Sequence, residues 1–200
     1  MQKSSPKKPI FVVGIDEVGR GPLAGPVAVG ACRIPVNSKR LFAGIKDSKK
    51  LSEKKREEWL LKMKEWKAEG VIDYAVSFVS ANTIDEIGIA ESIRLALSKS
   101  LKKLKLNSAK TLVLLDGGLR APRSFKNQRT IIRGDEKEPS IALASIVAKI
   151  TRDRLMVRLS KKYSAYSFEI HKGYGTLTHR NAIRKFGLSR EHRVSFCKNI

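Results

Sequence analysis

Four carboxylates offer the most chemistry in this sequence, and their interest lies in where they fall. Asp16 and Glu17 close a short β-rich run, Ile10 to Ile15, and Asp116 closes a second apolar run, Thr111 to Leu115. Asp135 follows Gly134 after a third strand-like run, Thr130 to Arg133. Strand ends are where sites gather in α/β sheets. Carboxylates converging there repel one another unless cations lie between them. Hard ions such as Mg²⁺ or Mn²⁺ suit such a place, because they take oxygen ligands and keep waters for a substrate. Two such ions about 3.5–4 Å apart can activate a water and stabilise a departing oxygen in phosphodiester hydrolysis. A strand-end Asp also caps turns, as Asp-Gly does. That explains Asp116 alone as well as a ligand role does, but it explains the four together poorly.

These acids stand in a strongly basic chain. The 200 residues hold 41 Lys+Arg against 19 Asp+Glu, a formal charge of +22. A basic surface can simply keep a protein soluble or draw it to anionic membranes. At this excess a nucleic acid is the better reading, since phosphate neutralisation and counterion release reward it. The hydrophobic share of 42% is enough for one packed core and excludes general disorder. No apolar run approaches the ~18 residues of a membrane span. Met1 to Pro9 has lysines but no apolar h-region behind them, so no secretory signal is read there. Cys32 and Cys197 lie far apart with no metal-like spacing and read as free thiols in a reducing, cytoplasmic setting. We expect residues 1–9 to be a flexible basic tail and residues 10–200 a single domain, acting as a monomer without a membrane.

The elements that must position the acids follow from pattern. After the first strand, Val27 to Cys32 reads as its hairpin-like partner. Leu51 to Trp66 reads as a helix with Trp59, Met63 and Trp66 on one face, and Val71 to Val79 alternates like a strand. Thr83 to Glu86 matches a capping box. The helix it opens carries Ile87, Ile93, Leu97, Leu101 and Leu104 on one stripe. Thr111 to Leu115 suits a buried central strand. Ser140 to Lys161 reads as a long helix, and a last helix runs from Thr178 to Phe186. Strands followed by alternating helices and strands imply an α/β fold with a mixed sheet. Gly19-Arg20-Gly21-Pro22-Leu23-Ala24 formally fits a dinucleotide fingerprint. Pro22, Pro26 and the strand that follows leave no helix there to face a pyrophosphate, which excludes that cofactor.

Read whole, Gly14-Ile-Asp-Glu-Val-Gly-Arg-Gly-Pro-Leu-Ala-Gly-Pro-Val27 resembles the opening of ribonuclease HII. Asp47 to Ser52, Leu115-Asp-Gly117, Gly134-Asp135, Ser140 to Lys149 with Thr151-Arg-Asp153, His171 to Thr176 and His192 to Phe196 resemble further blocks of that family, in its order. The resemblance implies a ribonuclease H-like fold, with a mixed five-stranded sheet flanked by helices and a short helical C-terminal segment. It implies endonucleolytic hydrolysis of the RNA strand of RNA–DNA hybrids. It also implies cutting on the 5′ side of a single ribonucleotide in duplex DNA, leaving 3′-hydroxyl and 5′-phosphate ends. Asp16, Glu17, Asp116 and Asp135 match the family's acidic residues, the first three as ligands of two Mg²⁺ or Mn²⁺ ions expected with substrate bound. The same carry-over assigns Gly19, Arg20 and Gly21 to sensing the 2′-hydroxyl and Tyr174 to the sugar just 3′ of the ribonucleotide. Ser48, Lys49, Lys50, Lys149 and Lys172 become phosphate contacts. The absence of a long extension at either end argues against ribonuclease HIII, which adds an N-terminal substrate-binding domain.

Alternatives stay open for several of these residues. Tyr174 also suits a core tyrosine in a glycine-flanked turn, and each lysine also suits a solvated surface. Arg120, Arg123, Lys126, Arg129 and Arg133 fall in a stretch without acids that could track phosphates or be a soluble loop. For His171 a hydrogen-bonding or surface role outweighs a general base, and His179 and His192 receive no catalytic role. A junction resolvase of the same fold would share the acids but has no use for a 2′-hydroxyl sensor. A non-catalytic RNA-binding protein would explain the charge and not the acids.

Overall fold

The computed structural model describes residues 9–42, 44–45 and 51–200. Residues 1–8 of the expected tail, and with them Ser48, Lys49 and Lys50, lie outside the described residues.

The first strand, β1 (Phe11–Val18), runs antiparallel to β2 (Val27–Pro35), which pairs antiparallel with β3 (Asp73–Val79). On its other side β1 runs parallel to β4 (Thr111–Asp116), which pairs in parallel with β5 (Gln128–Ile131). The sheet order is therefore β3-β2-β1-β4-β5, with the acid-bearing strands β1 and β4 adjacent. This is the mixed sheet the pattern implies, with the five strands the resemblance implies.

Helices cover both faces. Helix α2 (Ala81–Lys103) packs Ile93, Leu97 and Leu101 against Val13, Ile15, Val29 and Leu115. On the opposite face α1 (Glu53–Ala68) and the long α4 (Pro139–Lys162) pack against Val12, Cys32, Ile34 and Leu114. Between β5 and α4 lies a single turn, α3 (Gly134–Lys137). The short α5 (Phe168–His171) and α6 (Leu177–Phe186) form the C-terminal helical segment, which rests on Ala24 and Met156. Helix α4 can lie close to the sheet because β1 and β2 present glycine there. A Cβ on Gly14 would stand 2.0 Å from the Ser140 carbonyl carbon, and one on Gly30 2.2 Å from the Ala144 oxygen.

Three expectations need correction. The cap of α2 is Ser80, whose hydroxyl accepts from the Thr83 N–H at 3.2 Å, while Glu86 is engaged by the Asn82 amide. The Thr83–Glu86 pattern therefore lies inside the first turns rather than opening them. Ile87 is 42% exposed instead of on the apolar stripe, because Gly88 leaves helical geometry (φ 78°, ψ 159°) and breaks the phase between Ile87 and Ile93. Strand β5 ends at Ile131, two residues early, and Arg133 takes a left-handed conformation before α3. Asp135 thus sits in a helical turn and not directly on a strand end.

Candidate active site

Parallel pairing of β1 with β4 aligns Ile15 with Leu115, so the next residues, Asp16 and Asp116, stand side by side where that pairing stops. Asp16 and Glu17 do not close β1 as expected, because the strand runs on to Val18 against β2. Asp16 is buried, and its Oδ1 accepts the N–H of Glu17 at 2.8 Å. Asp116 Oδ1 accepts the N–H of Gly134 at 2.7 Å. That bond ties the end of β4 to the turn carrying Asp135, itself buried. The fold therefore gathers Asp16, Glu17, Asp116 and Asp135 around one sheet edge from three separate stretches of chain.

Burial raises the Glu17 carboxyl above its ordinary range. The Arg20 guanidinium, 3.5 Å away, and a backbone N–H pull it back, and the negative charge of Asp116 adds to the rise. A carboxyl held up by burial and by a neighbouring negative charge is what a divalent cation would relieve, and all the donors are hard oxygens. Among the described residues no three such side chains close on one point as a ready ligand shell.

The loop from Gly19 to Pro26 adjoins this edge. Gly19 has φ +88°, and a Cβ there would stand 2.2 Å from Arg152 Nε. A Cβ at Gly21 would meet nothing within 4 Å, so backbone is open to approach at that point. Two fully buried arginines cast the loop from behind. Arg193 donates to the carbonyls of Gly19 (2.6 Å), Arg20 (2.9 Å) and Gly25 (2.9 and 3.0 Å). Arg152 donates to Pro26 (2.9 Å), Ala24 (3.2 Å) and Lys172 (3.0 Å), and so joins this loop to the segment before Tyr174. Gly173 completes the join, its carbonyl accepting the Leu23 N–H at 2.8 Å. Burial lowers both guanidinium pKa values, that of Arg193 to about 9 with Arg152 contributing.

Tyr174, 43% exposed, lies beside this assembly and is not the core tyrosine that a glycine-flanked turn also allowed. The two lysines are engaged with the protein: Lys149 Nζ pairs with Asp153 at 3.0 Å, and Lys172 Nζ donates to the Glu169 carbonyl. The basic stretch divides. Arg120 and Arg123 line an open groove of ≈ 960 Å³ together with Arg20, Arg94, Gly118 and Thr130, whereas Arg133 pairs with Glu136 at 3.1 Å. All three histidines are buried and hydrogen-bonded, in keeping with a structural role. Arg152 and Arg193 fall inside motif blocks of the sequence. Their partners are carbonyls more than a hundred residues away for most bonds, so nothing local distinguishes them from surface arginines.

A parallel β1–β4 pair ending in carboxylates, in a mixed sheet covered on both faces, defines the ribonuclease H-like nucleases. A family model for ribonuclease HII matches residues 13–199. The ribonuclease HII of Caldicellulosiruptor bescii is 46% identical over 190 residues, covering 95% of this chain and 88% of that protein. Among solved structures, the ribonuclease HII of Archaeoglobus fulgidus, in complex with PCNA, superposes with a TM-score of 0.75 at 26% identity, covering 92% of this chain and 94% of that one. The ribonuclease H2 of Pyrococcus horikoshii gives 0.71 at 26% identity, covering 94% and 95%. The chain belongs to the ribonuclease HII family. It is a metal-dependent ribonuclease H, a hydrolase acting on ester bonds in the RNA of RNA–DNA hybrids.

Proposed function

We propose that this enzyme also cuts on the 5′ side of a single ribonucleotide embedded in duplex DNA, leaving 3′-hydroxyl and 5′-phosphate ends. The observation that carries this reading is the junction of three features: the carboxylate edge, the open backbone at Gly21 and the exposed Tyr174 ring, held together through Arg152 and Gly173. A 2′-hydroxyl is the one group that tells RNA from DNA at a given site. Backbone groups around Gly19, Arg20 and Gly21 would read it on the sugar, because no Cβ stands in the way at Gly21. The Tyr174 ring packs on the next sugar toward the 3′ side, where a deoxyribose is accepted.

Asp16, Glu17 and Asp116 hold two divalent ions, Mg²⁺ or Mn²⁺, with Asp135 completing the acidic edge. When bound, such ions supply a water nucleophile at neutral pH and stabilise charge on the departing 3′-oxygen. The chain's own part is to hold the carboxylates in place. Asp16 is fixed by the Glu17 N–H and Asp116 by the Gly134 N–H. Arg20 draws the Glu17 carboxyl toward its ionised form. Arg94, Arg120 and Arg123 around the open groove receive phosphates of the duplex beyond the cut, with Lys149 and Lys172 as further contacts. The free thiols at Cys32 and Cys197 support a reducing, cytoplasmic setting.

The test is cleavage of a labelled DNA duplex bearing one ribonucleotide, with Mg²⁺, Mn²⁺ or chelator, beside an all-DNA control. Metal-dependent cutting 5′ of the ribonucleotide is the expected result. Cleavage of hybrids alone would remove the junction reading, and cleavage of the all-DNA control would make the enzyme a general nuclease.

A further inference from the structure

The three histidines form one buried cluster behind Tyr174. Gly173 N–H donates to His171 Nδ1 at 3.2 Å, so the His171 proton sits on Nε2 and donates to the Tyr166 carbonyl at 2.7 Å. The His171 ring stacks on His179 with centroids 4.3 Å apart. His192 Nδ1 accepts the Ser189 N–H at 2.9 Å, which places the proton of that neutral ring on Nε2. That nitrogen lies 3.0 Å from His179 Nε2, which must then accept. His179 keeps its proton on Nδ1, 2.9 Å from the carbonyl of Tyr174. One tautomer per ring satisfies every bond, in a single direction from Ser189 through His192 and His179 to Tyr174. Burial pushes His179 and His192 down to about 4, so both rings stay neutral at physiological pH.

We propose that His179 is a positioning residue for recognition of the ribonucleotide's 3′ neighbour: it fixes Tyr174 by donating to that residue's own carbonyl, and His192 holds it in the tautomer that can donate. The bond anchors the backbone of Tyr174 and leaves its ring exposed for a sugar. A purely apolar packing role would need neither the donor nor its direction. The inference rests on the role given to Tyr174 above, and its test separates the two.

Asparagine at position 179 places an amide N–H where Nδ1 stands, whereas glutamine reaches toward His192 and leaves the Tyr174 carbonyl without this donor. Both amides suit the polar pocket, so His179→Asn and His179→Gln form the comparison. Two quantities are read in folded protein. One is the ratio of kcat/KM on the single-ribonucleotide duplex to that on a long hybrid. The other is the ¹⁹F signal of 3-fluorotyrosine at position 174, assigned with Tyr174→Phe. His179→Gln is expected to lower the ratio by about three- to tenfold and to shift or broaden the signal. His179→Asn is expected to hold both near the parent. A moved signal in His179→Gln, with the ratio unchanged there and in Tyr174→Ala, supports the positioning and removes the role of Tyr174 in junction recognition. An unmoved signal in His179→Gln overturns the inference, whatever the ratio does.

Discussion

Asp116 performs two tasks with one carboxylate, and replacing it by Asn separates them. The amide oxygen of Asn can still accept the Gly134 N–H that Asp116 holds at 2.7 Å, so stability should change by less than about 1 kcal/mol. The charge that would bind a cation is lost, and cleavage should fall by about a hundredfold or more. Single-turnover cleavage beside thermal unfolding checks both halves. The histidines make a prediction of the opposite kind, about stability and not rate. His179 and His192 are held near 4 in the folded chain against about 6.5 when unfolded. Well above pH 6.5 both states are neutral and pH has no effect through them. Between pH 6.5 and 4 the unfolded chain takes up protons that the native state refuses, so stability is lost as pH falls. The loss is at most about 1.4 kcal/mol per pH unit for each ring. Urea midpoints at pH 7, 6 and 5 should therefore decline, and less steeply in His179→Asn.

At the scale of elements, the seat of α4 on the sheet is the most exacting contact. Gly14→Ala sets a methyl 2.0 Å from one backbone atom and 2.2 Å from others of Ser140 and Ile141, at the start of α4. Relief requires moving the helix, so denaturant unfolding should show a loss of about 3 kcal/mol or more. The same scale shows what the sequence carries and what it does not. The acidic edge is legible because acids are scarce in a chain of +22 and each one here follows a run of strand-forming residues. The long helices are legible from periodicity. The α2 cap is misplaced by three residues because Ser80 and Thr83 are both competent caps, and only the path of β3 into the helix selects Ser80. Ile87 is misassigned because periodicity assumes an unbroken helix, which Gly88 interrupts. Arg152, Arg193 and the histidine cluster are illegible for another reason. Their bonds run to backbone carbonyls and to rings brought close only by tertiary folding, and a carbonyl has no residue type to read.

Across the whole molecule, the excess of positive charge acts through the groove beside the carboxylate edge. Arg94, Arg120 and Arg123 around it are expected to meet phosphates. Replacing all three by Gln should flatten the dependence of log Kd on log salt by about two to three units for a catalytically inert Asp116→Asn protein on a hybrid duplex. Titrations at several salt concentrations measure this. An unchanged slope would assign the groove no part in binding.

The Arg193 bonds also set an order of events in the making of the molecule. Gly19, Arg20 and Gly25 leave the ribosome early, yet the guanidinium that organises their carbonyls belongs to a residue 168 to 174 positions later. Strands β1 and β2 can pair as soon as they emerge, because their contacts are local. The loop between them cannot take its final shape until residue 193 has been synthesised and has docked. Asp16 and Glu17 therefore wait beside an unfinished loop while Asp116 and Asp135 are still to be made. In a nuclease assembled in this order the loop is completed only after all four carboxylates have been made.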